Sequence, residues 1–141
     1  GVLTVDYPPE ECVEFNDLLK ARGIDPVFLL SPTTEKSRVD LIVQQASGFV
    51  YYVSLKGVTG AKNLDIDEVA DRVAAIRKQT TLPVGVGFGV RDAATAKAVA
   101  GIADAVVVGS RMVQTIETST VDNVVANLTA LTLELRAAID A

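Results

Sequence analysis

Short unbroken apolar runs alternate along this chain with stretches in which apolar residues return every three or four positions. The runs at residues 2–6, "PVFLL" at 26–30, "FVYYVS" at 49–54, "LPVGVGF" at 82–88 and "DAVVVG" at 104–109 predict five strands. Between them, Cys12, Phe15, Leu18 and Leu19 share one helical face, with Gly23 standing where a C′ glycine would end it. Val39, Ile42, Val43 and Ala46 repeat at the same spacing, as do Ile66, Val69, Ala70, Val73 and Ile76. Asp65, Asp67 and Glu68 crowd the start of that third helix, where the helix dipole favours acids. Asp92 is placed to cap an alanine-rich helix reaching about residue 100. The stripe Val124, Leu128, Leu131, Leu135, Ile139 predicts a long closing helix with Thr120 as its cap.

Strand thus follows helix throughout, and the strands are continuous apolar runs, as expected of a parallel sheet covered on both faces. A doubly wound sheet and a TIM barrel both fit this order. No GxGxxG opens the first helix, and the glycine signals come late in the chain. Barrel phosphate sites are commonly built from the loops after the last two strands and the start of a short extra helix. The expected fold class is therefore α/β, a TIM (β/α)8 barrel to which residues 1–141 contribute about five βα units as the C-terminal portion of one domain.

Composition narrows the partners. At 141 residues, 49% hydrophobic and 22% charged, the chain reads as a globular domain with a core. A net charge of −5 and no basic cluster argue against nucleic acid or an anionic membrane surface, while leaving room for a small anion at a local site. Cys12 is the single cysteine and histidine is absent, so neither a disulfide framework nor a zinc set is expected, and no cofactor is implied. No apolar run approaches the ~20 residues needed to cross a bilayer, which points to a cytoplasmic protein. The abrupt start at Gly1, without methionine, fits a segment of a longer protein.

Three glycine-marked strand ends suggest one shared site: "SLKGVTGAKN" at 54–63, "GFGV" at 87–90 and "VGSRMVQTIE" at 108–117. Glycine at a strand end lets backbone amides approach an oxyanion, and Ser110 would open a short helix whose first amides point outward. Taken singly, Gly87, Gly89 and Gly109 read equally well as turn residues. Tyr51 reads as a strand aromatic that packs in a core, Asp6 before two prolines as a turn former, and Lys56 and Lys62 as solvated loop charges.

The segments "VDYPPEE", "SLKGVTGA", "GFGV" and "VVGS", in this order and spacing, resemble the tryptophan synthase α subunit family over the whole chain, from its fourth strand to its eighth helix. That resemblance implies a barrel that cleaves indole-3-glycerol phosphate to indole and glyceraldehyde 3-phosphate and passes indole to a β subunit within a heterotetramer. By the same resemblance, residues 54–62 form a mobile lid in which Thr59 meets a catalytic aspartate. The resemblance further implies that Gly60, Gly89, Gly109 and Ser110 contact the phosphate, that Tyr51 and Phe88 line the substrate pocket, and that Asp6 and Pro8 face the β subunit. The family's catalytic glutamate and aspartate would lie before residue 1, leaving no catalytic carboxylate in this segment and only Thr59 and Tyr51 to assist. Glu10, Glu11, Asp65 and Asp67 sit at helix starts and do not replace them. A non-catalytic phosphate-binding or structural half-barrel remains the alternative, as does a free-standing lyase. Five strands leave two open edges, to be covered by a missing N-terminal barrel segment or by self-association.

Overall fold

The computed structural model describes residues 1–54, 65–87 and 89–141. Among them lie β1 (Val2–Leu3), α1 (Val13–Lys20), β2 (Pro26–Leu30), α2 (Lys36–Gln45), β3 (Val50–Val53) and α3 (Ile66–Arg77). They are followed by β4 (Val84–Gly87), α4 (Ala93–Ala100), β5 (Ala105–Val107), α5 (Ser110–Glu117) and α6 (Val124–Ile139), and a 3₁₀ turn at Pro9–Glu11 precedes α1. Every neighbouring pair of strands is parallel, and their order in the sheet is their order in the chain.

The register sorts the side chains into two faces. Leu30 pairs with Tyr52, Tyr52 with Val86 and Val86 with Val106, and this row lies under the helices. There it joins Val39 and Ile42 of α2, Val69, Val73 and Ile76 of α3, Ala96 and Val99 of α4, and Leu131 and Leu135 of α6 in one core. On the other face Leu29 pairs with Tyr51, Tyr51 with Gly85 and Gly85 with Ala105. This row is covered less: Leu29 and Tyr51 are half-buried and Ala105 is exposed. The strands are therefore apolar on both faces yet fully covered on one, because five strands curve partway around an interior without closing it.

The caps explain where several helices begin and end. Asp65 accepts a hydrogen bond from the Glu68 amide (3.1 Å) at the start of α3. Asp92 and Thr95 exchange side-chain and backbone bonds as a capping box at the start of α4, with Thr95 N–H donating to Asp92 Oδ1 at 2.8 Å. After α1, Ile24 N–H donates to the Leu19 carbonyl and Gly23 N–H to that of Lys20, the paired bonds of a Schellman ending. Gly23 takes the left-handed φ of 67° that this ending requires.

Three elements differ from the sequence pattern. In α1, Phe15 and Leu18 of the expected apolar face are exposed, and Asn16 is buried beside Leu19. The first strand stops at Leu3 instead of reaching Asp6, because Asp6 turns the backbone to φ 55° and Pro8 and Pro9 have no amide to extend a ladder. Thr120 does not cap the last helix. Its own N–H donates to Asn123 Oδ1 (2.8 Å), a turn intervenes, and α6 begins at Val124 without a side-chain cap. Among the described residues, no helix is long and apolar enough to cross a membrane.

Candidate functional site

The carboxyl ends of β3, β4 and β5 and the start of α5 meet around a cavity of about 710 Å³ lined by Tyr51, Gly89, Gly109 and Ser110, with Arg91, Arg111 and Glu117 at its walls. Four residues singled out from sequence are thereby brought together. Thr59, Gly60 and Phe88, with the expected lid at 54–62 apart from Ser54, lie outside the described residues. Asp6 and Pro8 do not join this group. They line a separate cavity of about 620 Å³, between the segment after β1 and the start of α2, where Glu10 and Arg38 form an ion pair.

Each wall has a local cause. Tyr51 projects into the barrel interior and lies over β4, where Gly87 makes room for it: a Cβ there would come within 2.6 Å of the Tyr51 ring. Gly85 likewise faces the Phe49 ring, 3.2 Å from where its Cβ would be. Ser54 closes the top of the β3–β4 pair, its N–H and its hydroxyl both donating to the Gly87 carbonyl, at 3.0 and 2.7 Å. Burial pushes the Tyr51 phenol above its ordinary pKa, so it remains a neutral hydroxyl at physiological pH.

Gly89 holds φ at 83°, a conformation that side chains disfavour. Gly109 is different: its φ of −108° suits any residue, and a Cβ there would meet nothing within 4 Å. Its missing side chain opens space on the cavity side. The first amide bond of α5 runs from Val113 N–H to the Gly109 carbonyl (3.1 Å), so the Ser110, Arg111 and Met112 amides precede it and have no partner inside the helix. Such amides, at the positive end of a helix and beside two guanidinium groups, suit an oxyanion. Glu117, seven residues along α5, is the one carboxylate among the lining residues.

Among the lining residues that the sequence pattern did not single out are Arg91 and Arg111. Their signal was adjacency, since one follows the "GFGV" motif directly and the other follows Ser110. Among the described residues, no group of three or more His, Cys, Asp or Glu stands close enough to hold a metal ion.

A parallel βα sheet with an anion-suited cavity at its carboxyl edge defines the class as part of a TIM-type barrel. The family model of the tryptophan synthase alpha chain matches residues 1–140, and the chain belongs to that family. It is 62% identical to the tryptophan synthase alpha chain of Chromobacterium violaceum over 139 residues, covering 99% of this chain and 53% of that one. It is 57% identical to that of Ralstonia nicotianae over 141 residues, covering 100% and 53%. In structure it is similar to a tryptophan synthase chain of Mycobacterium tuberculosis, with a TM-score of 0.84 at 33% identity, covering 100% of this chain and 52% of that one. A second similar structure is the alpha subunit from Legionella pneumophila, with a TM-score of 0.77 at 33% identity, covering 98% and 51%. The chain spans about half the length of the curated relatives it matches.

Proposed function

We propose that this chain is the C-terminal portion of an indole-3-glycerol phosphate lyase of tryptophan biosynthesis and supplies its phosphate site. The observation that carries this reading is the convergence of Gly89, Gly109 and Ser110 with Tyr51 on one cavity at the carboxyl edge of the sheet. The phosphate of the substrate accepts hydrogen bonds from the backbone at Gly89, Gly109 and Ser110, with Arg91 and Arg111 adding positive charge. Tyr51 lines the part of the pocket that takes the indole and glycerol portion. Gly60, Thr59 and Phe88 complete the set by family resemblance.

In the reaction the bond between the indole ring and the glycerol chain breaks. The ring is first protonated to an indolenine. Loss of the proton from the adjacent glycerol hydroxyl then drives cleavage, the electron pair returns to the indole ring, and an aldehyde forms on glyceraldehyde 3-phosphate. This needs a positioned acid and base. The family resemblance assigns them to a glutamate and an aspartate before residue 1, so this segment contributes binding and orientation. Fixing the phosphate end holds the scissile bond in register with groups supplied by the rest of the barrel. Asp6 and Pro8, at the separate cavity beside α2, are proposed to face a β subunit that receives the indole.

The test uses proline at the first position of α5. Ser110→Pro deletes one amide donor at a helix position that accepts proline without steric cost. In the full-length protein it should weaken glycerol 3-phosphate binding by about 1–3 kcal/mol, read by calorimetry. Unchanged affinity would refute the assignment of the site.

A further inference from the structure

Tyr51 and Tyr52 are neighbours on β3 and project to opposite faces of the sheet, and only the first belongs to the cavity described above. Tyr52 sits beneath the helices at 2% exposure and lines another cavity, of about 300 Å³, between α2 and α3. Among the described residues no fully buried side-chain oxygen or nitrogen lacks a hydrogen-bond partner, and the Tyr52 hydroxyl, which bonds to none of them, opens onto this cavity. A hydroxyl that opens onto a cavity can donate to a molecule that enters it. Burial raises the pKa of this phenol, with Glu68 adding to the effect and Arg72 opposing it, so at physiological pH the group is a neutral donor.

The rest of the lining says what would enter. Leu30, Val39 and Ile76 supply an apolar floor, and Lys36, Arg72 and Lys78 supply three cations. No carboxylate lines the cavity, although the chain as a whole carries a net charge of −5. The nearest acids stand outside it: Glu68 is one turn before Arg72 on α3, and Asp40 lies where the Gln79 amide can donate to it at 2.7 Å. The volume is at the small end of ligand pockets, which run from ~300 to ~1,000 Å³. Ser31, Thr34 and Gln79 add neutral polar groups beside the Tyr52 hydroxyl. An apolar floor, neutral donors and a cationic rim match a compact molecule with a hydrocarbon or aromatic body and a single carboxylate.

We propose that the cavity between α2 and α3 is a binding site for a small apolar carboxylate, which accepts a hydrogen bond from the Tyr52 hydroxyl and pairs with Arg72. The site lies on the outer, helix-covered side of the sheet. Its occupant would bridge two helices that flank β3, the strand that carries Tyr51 on its other face.

The experiment is a calorimetric or NMR titration of the full-length protein with phenylacetate, with benzyl alcohol and inorganic phosphate as comparators. Phenylacetate should bind saturably, and benzyl alcohol and phosphate should bind at least tenfold more weakly. Tyr52→Phe should weaken phenylacetate about fivefold and Arg72→Gln about tenfold, in keeping with a neutral and a charge-assisted hydrogen bond. Arg72 is exposed on α3, so its variant decides the matter even if Tyr52→Phe perturbs the core. Ser110→Pro should leave phenylacetate binding unchanged, which separates this site from the one at the carboxyl edge. Absence of saturable binding, equal binding to wild type and Arg72→Gln, or equal binding of phosphate would overturn the proposal.

Discussion

Two glycines near the carboxyl edge of the sheet look alike in the sequence and do different work. Gly87 is required by packing, since the Tyr51 ring occupies the space a Cβ would take. Gly87→Ala should therefore cost about 1–3 kcal/mol in urea unfolding, as expected when atoms are forced into a filled site. Gly109 faces open space at an ordinary φ, so Gly109→Ala should change stability by less than about 0.5 kcal/mol. The same change should nevertheless reduce glycerol 3-phosphate affinity, because the added methyl enters the room left for an anion. If both variants lose stability equally, the distinction fails. Sequence marked these positions as special but could not separate the two reasons, because what distinguishes them is a ring on the adjacent strand in one case and empty space in the other. Arg91 and Arg111 were harder to read for a related reason: a lone arginine beside a glycine motif is indistinguishable from a solvated surface charge until the fold turns both toward one cavity.

Strand and helix identities were legible wherever a hydrophobic period ran long enough, as in α3, whose Val69, Val73 and Ile76 are in the core, and α6, whose Leu131 and Leu135 are in the core with Ile139 packed against it while Val124 and Leu128 lie outside it. Ends were less so. The β1 ladder is cut short by Asp6 and the prolines, and Thr120 loses its expected role to a turn closed by Asn123. Short-range competition among side chains decides such ends, and a periodicity argument does not see it. One clasp between elements was likewise invisible. The Asp104 carboxylate accepts a hydrogen bond from the amide of Val84 (2.8 Å), and the Asp104 amide donates to the Val84 carbonyl (3.0 Å), so a single residue before β5 holds both backbone groups at the start of β4. Arg77, at the end of α3, pairs with the same carboxylate at 3.0 Å. The Val84 bond first, and Arg77 after it, hold the Asp104 pKa below its usual value. Asp104→Ala should lower stability by about 1–3 kcal/mol at pH 7, because it leaves the buried Val84 amide without its acceptor. The sign of the pH dependence follows from the depressed pKa. The ionic contribution is fully present above the unfolded-state value near 4 and is lost as pH falls through the folded value. Urea unfolding of wild type and variant at pH 7 and at pH 3 should show the gap narrowing in acid. A gap that widens in acid would contradict the assignment.

At the scale of the whole molecule, the alternation of runs and stripes made the parallel βα architecture readable, and the glycine motifs singled out the carboxyl edge of the sheet. What the sequence pattern understated is how unequally the two faces are covered. Val2 and Leu3 on one edge strand and Val107 on the other are exposed, as are Val113 and Ile116 on α5. Unpaired parallel edges and an open apolar interior invite association. These 141 residues, purified alone, should form concentration-dependent oligomers in sedimentation experiments and yield no measurable indole from indole-3-glycerol phosphate. Adding a separately produced segment that supplies the remaining strands should give a monodisperse species with lyase activity. Turnover by the 141 residues alone at about 1 s⁻¹ or more, a rate ordinary for enzymes, would place acid–base groups within this segment and make Tyr51 and Asp6 the next residues to substitute.

The strand order has a bearing on how the chain is made as well as on how it rests. Each strand is hydrogen-bonded to the one translated just before it, so no strand waits for a distant partner, and successive closures span loops of similar length. Because doubling a loop adds only about 0.6 kcal/mol of closure entropy, every unit joins the growing sheet at nearly the same entropic cost. Assembly can then advance from the ribosome in the direction of synthesis, with each finished unit serving as the template for the next. The one bond that cannot form on that schedule is the seam of the barrel, where the last strand must wait for the first.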